Sequence, residues 1–250
     1  MTLQDHSLGQ LARLIPGATR IFHDHGLDFC CGGKQTLRDA AQQKGLDAVA
    51  VAAIAAQLQA LQDEAGPLAQ DWNTAAPAVL IDHILTRFHA RHREQLPELI
   101  RLARRVEQVH GDRPDCPLGL ADHLAEMLGE LESHMQKEEQ VLFPMLLRGL
   151  HAAASRPIAV MRAEHDDHGV ALQRLADLTH DITLPRAACN TWRALYLGLR
   201  TLREDLMEHI HLENNVLFET ATASASATAP ATAPATTPTQ ASGCGCSAHA

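Results

Sequence analysis

The sequence is poor in aromatic residues: 250 residues include two Trp, one Tyr and five Phe. It has no run of about 18 apolar residues, so no segment is predicted to span a membrane. Lys and Arg number 21 against 30 Asp and Glu, and the formal net charge of -9 argues against nucleic-acid binding, which needs clustered cations. The N-terminus carries Asp5 and no apolar core, so it does not resemble a signal peptide.

We therefore expect a cytoplasmic protein, in which thiols stay reduced. Its six cysteines are better explained as metal, redox or core thiols than as a disulfide framework. Histidine is the unusual component, because its 16 residues outnumber the eight aromatics two to one. Composition divides the chain into a helical unit over 1–65, a linker over 66–76, a core region over 77–219 and a tail over 220–250.

Residues 1–65 predict a small unit of short helices, two of which are capped by Thr36 and Asp47. Between these helices, Cys30 and Cys31 occupy a turn rich in glycine, which leaves the thiols accessible. Because the side chains of successive residues point in different directions, the pair is a poor core filler. We therefore expect Cys30 and Cys31 to have a metal-binding or redox role rather than a packing role.

Residues 77–219 contain four amphipathic patterns that form two matching pairs. In the second and fourth patterns, apolar and polar residues recur at alternating steps of four and three: Leu120, Leu124, Met127, Leu131, His134, Glu138 and Val141, and again Leu195, Leu199, Leu202, Leu206, His209, Glu213 and Val216. The first and third patterns also match each other: Leu85, His89, His92, Leu96, Leu99 and Val106, and Met161, His165, His168, Leu172, Leu175 and Ile182.

Each pattern marks one core-facing seam per helix. Four such helices joined by short loops predict an all-α protein whose main unit is an up-down-up-down four-helix bundle. Pro144 lies inside the second pattern and should loosen its last turn, because proline cannot donate the helical hydrogen bond.

Polar residues on this seam carry the chemistry. Every helix places His on the seam, and Glu138 and Glu213 stand four residues after His134 and His209, on the same helix face. Burying these groups costs several kcal/mol, by the usual order of magnitude, unless they are paired or bind metal. Imidazole with carboxylate suits a borderline transition metal rather than calcium or magnesium. Two carboxylates shared by four helices indicate two bridged metals, and iron is the usual occupant of such bundles.

Five motifs resemble those of the iron–sulfur cluster repair proteins (repair of iron centres), which are hemerythrin-like di-iron proteins. The resemblance extends to about Phe218, and its motifs are residues 28–37 (DFCCGGKQTL), 87–96 (RFHARHREQL), 133–140 (SHMQKEEQ), 164–166 (EHD) and 209–215 (HIHLENN). It implies six metal ligands, four His and two bridging Glu: His89, His134, Glu138, His165, His209 and Glu213. The seam itself includes these six together with His92 and His168, which it does not separate from them.

The resemblance further implies a centre of two Fe ions, with oxo and carboxylate bridges. The implied function is repair of iron–sulfur clusters damaged by oxidative or nitrosative stress, with iron supplied from this centre. The implied partners are damaged iron–sulfur proteins and the gases NO and O2 at the iron; a homodimer is one option for the assembly. The alternatives are a di-iron nitric oxide or peroxide reductase and a hemerythrin-type gas-binding sensor. The resemblance also implies that Cys30 and Cys31 act in thiol redox chemistry or iron handling. This thiol-bearing unit favours repair over a pure gas carrier, which has no need of it, and a repair or iron-donor protein is preferred to a turnover enzyme.

Two features depart from related proteins, one from the oxygen-carrying hemerythrins and one, the tail, from the basic pattern of the repair family. The oxygen-carrying hemerythrins place a second imidazole four residues after the third-helix ligand, where this chain has Gly169, so the centre should be more open to an added ligand. The Ala/Thr/Pro-rich tail, predicted to be disordered, ends with Cys244 and Cys246, which form either a mobile thiol arm for metal or a passive extension. The other bundle histidines are expected at the surface or behind the ligands: His83, His110, His123, His151, His180 and His211.

Overall fold

A computed structural model describes residues 2–15, 17–64 and 72–228. Most of the predicted tail, with Cys244 and Cys246, lies outside these residues, as does most of the predicted linker. Within the described residues the protein is all-α, as expected, with no strand. None of the described helices is long and apolar enough to cross a membrane.

The N-terminal unit consists of short helices. After a 3₁₀ turn over Leu3–Asp5 come α1 (Leu8–Leu14), α2 (Ala18–Asp24), α3 (Leu37–Gln43) and α4 (Ala48–Glu64). Both predicted caps are confirmed. The Thr36 hydroxyl accepts a hydrogen bond from the Asp39 backbone N–H at 3.1 Å, and Asp47 accepts one from the Ala50 N–H at 2.8 Å. Each cap satisfies a backbone donor that the first helical turn would otherwise leave unpaired.

The four bundle helices follow, and three of them contain a π-helical segment. The first consists of α5 (Pro77–His83), a π segment (Ile84–His89) and α6 (Ala90–His110); the second of α7 (Leu120–Lys137), a π segment (Glu138–Leu142) and α8 (Phe143–Leu147); the third of α9 (His151–Thr179) alone; and the fourth of α10 (Asn190–Leu212), a π segment (Glu213–Leu217) and α11 (Phe218–Thr228).

The π segments occur where the seam carries its polar residues. One ends at His89, and the other two begin at Glu138 and Glu213. Single π turns inside α-helices are frequently found at functional sites. Pro144 was expected to loosen the last turn of the second helix, and it does follow the π segment there. The fourth helix has a π segment of the same length but no proline after it. Proline is therefore not the common cause.

The π segment in the second helix changes which residue faces the core. The seam pattern predicts Val141 as buried, but its side chain is 50% exposed, and the next residue, Leu142, is buried instead. A π turn takes up one more residue than an α turn, so the buried face moves one position along the chain. The prediction for Val141 is therefore wrong.

Buried apolar side chains form two clusters, and the seam histidines and glutamates lie between them. One cluster includes Phe88, Phe143 and Phe218. The other includes Leu131 and Leu206 and continues into the N-terminal unit through residues such as Phe29. The N-terminal unit and the bundle therefore share one apolar core.

The fourth helix is longer than the sequence suggests. The tail was expected to begin at residue 220, but α11 continues to Thr228, and Ala221 is buried against the cluster that contains Phe218. Alanine favours a helix and is small enough to pack there, so the lack of larger apolar residues does not end the helix.

Candidate metal centre

The structure brings together all six residues that the resemblance implies as ligands, and each is buried. They form two groups of four, in which one potential ligand atom from each residue lies within 4.8 Å of the others. The groups are His89, Glu138, His209 and Glu213, and His134, Glu138, His165 and Glu213. Both groups contain the same two glutamates, and each adds its own pair of histidines. This arrangement suits an iron centre.

The imidazoles direct their Nε2 atoms at one another and at the carboxylates. Nε2 of His89 lies 3.2 Å from Nε2 of His209, and the corresponding distance between His165 and His134 is 3.1 Å. Glu213 contacts both pairs, with Oε1 3.1 Å from His209 Nε2 and Oε2 3.1 Å from His165 Nε2.

Glu138 reaches both pairs with a single oxygen. Its Oε2 lies 3.4 Å from His89 Nε2 and 3.5 Å from His134 Nε2. Each carboxylate therefore stands between one imidazole of each group.

Hydrogen bonds on the outer side fix the tautomer of three of these imidazoles. His89 Nδ1 lies 2.8 Å from Glu139, and His134 Nδ1 lies 2.9 Å from Glu164. An ionised carboxylate only accepts, so each Nδ1 carries the proton and each Nε2 presents a lone pair toward the centre. A ligating histidine that is held in this way by an outer carboxylate or carbonyl is the usual arrangement at metal sites.

The third such imidazole, His165, is oriented by an amide. Asn214 donates through Nδ2 to the Cys30 carbonyl at 3.1 Å, which fixes its Oδ1 as the atom 2.9 Å from His165 Nδ1. His165 Nδ1 must therefore donate, and its Nε2 is also a free acceptor. Asn214 thereby joins the centre to the N-terminal unit.

Buried polar atoms that lack a hydrogen-bond partner indicate whether a metal would fit this site. Among the described residues, both oxygens of Glu138 and Oε2 of Glu213 are fully buried without a hydrogen-bond partner. An orphaned buried carboxylate oxygen is costly unless something else satisfies it. Oxygens of this kind beside three inward-facing imidazole lone pairs and the Nε2 atom of His209 form a donor set that fits iron.

Protonation at this site follows from burial. Burial and the nearby Glu213 raise the pKa of Glu138 well above its usual range. Burial alone would also raise the pKa of Glu213, but His209 and His165 outweigh it and hold that pKa well below its usual range. Burial, assisted by neighbouring imidazoles, lowers the pKa of His89 to about 4 and that of His134 to about 2. The two histidines are therefore neutral at pH 7, the form that binds metal.

His92 and His168 also lie on the seam, but outside both groups of four. The His168 ring packs edge-on against His134 at 5.0 Å between centroids, and the His92 ring lies 5.4 Å from His209. Among the residues that the structure describes, neither ring nitrogen of His92 has a hydrogen-bond partner, nor does Nε2 of His168. Position thus separates these two residues from the other six, which the sequence pattern did not.

The turn that carries the two cysteines docks against this centre. The Cys31 thiol lies 3.3 Å from the backbone carbonyl of His165, and the Cys30 carbonyl accepts from Asn214. Close packing at this junction requires glycine, because a Cβ at Gly33 would lie 2.7 Å from Asn215 Oδ1. The turn is therefore held next to the third and fourth bundle helices.

Comparison with known proteins agrees with this geometry. Residues 80–221 match the hemerythrin HHE cation-binding domain, and residues 4–62 match a domain of unknown function, DUF542. Iron–sulfur cluster repair protein YtfE of Yersinia pseudotuberculosis serotype O:1b (strain IP 31758) is 54% identical over 221 residues, which cover 88% of this chain and 98% of the relative. The protein of the same name from Yersinia pestis (strain Pestoides F) gives the same values. This chain belongs to the iron–sulfur cluster repair family.

The structure explains how this family member accommodates Gly169, where oxygen-carrying hemerythrins have an imidazole. A Cβ at Gly169 would point at the Cys31 sulfur, 3.8 Å away. This is an ordinary van der Waals distance, so only atoms beyond the Cβ, such as those of an imidazole, would crowd the docked turn.

Sequence reasoning assigned no role to the three outer partners of the repair protein's imidazoles. Glu139, Glu164 and Asn214 each come from a different helix than the imidazole they contact. One signal was available: each stands directly beside a predicted ligand in the sequence. Polar residues next to buried ligands are good candidates for such outer contacts.

The sequence predicted the remaining histidines to lie at the surface or behind the ligands. Two of them lie in neither place. His123 is buried and its Nε2 lies 2.8 Å from the Ala171 carbonyl. His211 is buried where the N-terminal unit docks, with its ring edge-on to Phe29 at 5.7 Å. The expectation for these two is wrong because docking of the N-terminal unit and helix pairing bury faces that a single-helix pattern leaves polar.

The repair protein without metal should lose stability on acidification. Burial lowers the pKa of His89, His168 and His211 to about 4, while unfolded histidine titrates near about 6.5. Between these values the unfolded state binds more protons, so stability is fully present above about pH 6.5 and falls toward pH 4. Each such group contributes a slope of up to about 1.4 kcal/mol per pH unit.

Glu138 acts in the opposite direction, because a raised pKa means that the folded protein binds this proton more tightly than the unfolded chain does. The three histidines with lowered pKa values outnumber it, so the net effect of acid is destabilising. Thermal unfolding of chelator-treated protein should therefore show Tm falling steeply between pH 7 and pH 5. His211→Asn, away from the ligand atoms, should make the dependence shallower. A Tm that is flat or rises on acidification would contradict the account.

Proposed function

We propose that this protein repairs iron–sulfur clusters damaged by oxidative or nitrosative stress, and that it does so by supplying iron. The observation that carries the proposal is the pair of four-residue groups that share Glu138 and Glu213. The similarity to relatives named iron–sulfur cluster repair protein supports the repair role. The cytoplasmic location of this protein stays a prediction from the sequence.

We assign two iron positions to the two groups. His89 and His209 would hold one iron, His134 and His165 the other, and both carboxylates would bridge the positions. Bound iron supplies the material that a damaged cluster lacks. Outer hydrogen bonds to Glu139, Glu164 and Asn214 keep the imidazole lone pairs directed inward, so these imidazoles are oriented for iron before it would bind.

Release of iron requires ligands that can be protonated or displaced. His134 lies nearest to such a route. Its outer partner Glu164 is partly exposed and pairs with Lys137 at the wall of a cleft of about 600 Å³ between α7 and α9. His168 also lines this cleft. Solvent therefore reaches the outer hydrogen bond of one ligand, which favours a centre that exchanges iron.

Labelled iron tests the proposal. Protein loaded with ⁵⁷Fe is incubated anaerobically with an iron–sulfur protein whose cluster has been damaged, together with unlabelled iron in solution. We expect the label to appear in the rebuilt cluster. Rebuilding that incorporates only unlabelled iron would contradict iron supply from the centre.

A di-iron nitric oxide or peroxide reductase is the second candidate, and the specific observation in its favour is the small histidine count. Each group contains two histidines, and Gly169 adds none. Steady-state turnover of nitric oxide by purified, iron-loaded protein would favour this reading. Binding without turnover would favour the hemerythrin-type sensor or the iron donor.

His92→Ala and His168→Ala test the boundary of the ligand set. Both side chains lie outside the two groups, so each variant should keep most of its iron. The buried cavity left behind should lower stability, by about 2–4 kcal/mol as for other large-to-small core changes. Metal analysis of the purified variants checks this; complete loss of iron in His168→Ala would make it a ligand.

A further inference from the structure

The turn with the two cysteines contains a second constellation of potential ligands, distinct from the histidine–glutamate centre. One ligand atom each from Asp28, Cys30 and Cys31 lies within 4.8 Å of the other two. The two sulfurs are 3.8 Å apart, and the Cys30 sulfur is 3.3 Å from Asp28 Oδ1. Both cysteines are free thiols.

This spacing matches tetrahedral coordination. Two thiolates that each bind zinc at about 2.3 Å with a tetrahedral angle lie about 3.8 Å from each other. Adjacent cysteines rarely hold their sulfurs on one side of the chain. Here the backbone is fixed by Asp28, whose Oδ1 accepts from the N–H groups of Cys30 at 3.2 Å and Cys31 at 2.9 Å. The arrangement is therefore set before any metal arrives.

The surroundings favour a cation. The turn lines a cleft of about 1070 Å³ between the N-terminal unit and the third and fourth bundle helices. Carboxylates outnumber cationic side chains in its lining, and one of the cations, Arg203, is paired with Asp181 at 2.6 Å. The Met207 thioether also lines the cleft and is a soft donor. A fourth position on a metal at the turn would therefore face solvent or a ligand in the cleft.

We propose that Asp28, Cys30 and Cys31 form a separate binding site for one soft or borderline divalent transition-metal ion, with Zn²⁺ as its model ligand. Two sulfurs and one carboxylate give an incomplete coordination shell, so the site should bind reversibly, unlike a closed four-ligand site. Cys31 also lies 3.3 Å from the carbonyl of His165. The site is therefore adjacent to the histidine–glutamate centre but shares no ligand with it.

Zinc absorption spectroscopy tests this proposal on the full chain. The background protein carries Cys244→Ser and Cys246→Ser, so that tail thiols contribute nothing, and it is first loaded with iron. One equivalent of Zn²⁺ is added anaerobically with a non-thiol reductant, which keeps Cys30 and Cys31 from forming a vicinal disulfide. We expect two sulfur neighbours per zinc at about 2.3 Å, with lighter atoms completing the shell.

Two matched variants in this background decide the assignment. Cys30→Ser with Cys31→Ser should lose the sulfur neighbours, whereas Cys116→Ser with Cys189→Ser should keep both. Asp28→Asn should keep both sulfurs but bind zinc at least about tenfold more weakly. An unchanged iron spectrum establishes that each variant is folded. Zinc with only nitrogen and oxygen neighbours, or sulfur scattering that survives loss of Cys30 and Cys31, would overturn the proposal.

Discussion

Replacement of Glu138 or Glu213 should abolish the paired iron centre. Each carboxylate stands between an imidazole of one group and an imidazole of the other. Loss of either carboxylate should reduce iron from about two per chain to about one or less and remove the spectrum of a bridged pair. The reason is that a bridged centre requires both carboxylates, and one alone cannot hold both metals. Iron analysis and near-ultraviolet spectra of Glu138→Ala and Glu213→Ala measure this.

Two further variants keep the result interpretable. Glu138→Gln retains the size of the side chain, so a failure to bind iron cannot be attributed to a cavity, and its amide should not bridge. Glu94→Ala changes an exposed glutamate on α6 and should bind iron normally. Full iron loading with an unchanged spectrum in either alanine variant of the buried pair would contradict the ligand assignment.

The second large effect concerns the thiols. Cys30→Ser with Cys31→Ser should retain the di-iron spectrum but lose cluster repair, down to the rate measured without protein. Iron should be retained because Asn214 binds the backbone carbonyl of Cys30, which serine leaves in place, so the outer hydrogen bond to His165 persists. Repair of a damaged cluster and iron content are measured on the same preparation.

Cys116→Ser with Cys189→Ser is the matched control, since these cysteines lie at the far end of the bundle, where Cys189 contacts His110. That variant should keep both repair and iron. Normal repair by the Cys30 and Cys31 variant would remove the thiols from the mechanism. Loss of iron along with repair would instead show that the turn supports the centre.

The seam and its candidate ligands could be predicted because helical periodicity is local. His134 and Glu138 stand four residues apart, and the same pair recurs at His209 and Glu213. A duplicated polar pair on an apolar stripe is costly unless it binds something, so the spacing predicts a metal site. The spacing did not separate His92 and His168 from the other six seam residues; that distinction came from the family resemblance.

The π segments could not be predicted, because the four-and-three pattern continues through them without interruption. Only the exchange of Val141 for Leu142 in the core reveals the extra residue in the turn. The hydrogen-bond partners of the imidazoles were equally hidden. Glu139 contacts His89 from a different bundle helix, so the contact depends on how the two helices are rotated against each other.

Docking of the N-terminal unit also left little trace in the sequence. Its turn contacts Asn214 and Asn215, but an asparagine that follows a ligand is as compatible with solvent as with an interface. Gly33 and Gly169 lie where the turn contacts the bundle, but this is visible only when the positions of both the turn and the bundle are known. The sequence thus indicated that the thiols are accessible but not that they stand beside the third-helix ligand.

Mössbauer spectroscopy of the full-length protein loaded with ⁵⁷Fe tests the central claim most directly. The account predicts about two irons per chain, both in one spin-coupled pair, because the two groups share both carboxylates. The paired signal should vanish in Glu213→Gln. One iron per chain, or two irons that behave as magnetically isolated ions, would contradict a shared centre at Glu138 and Glu213.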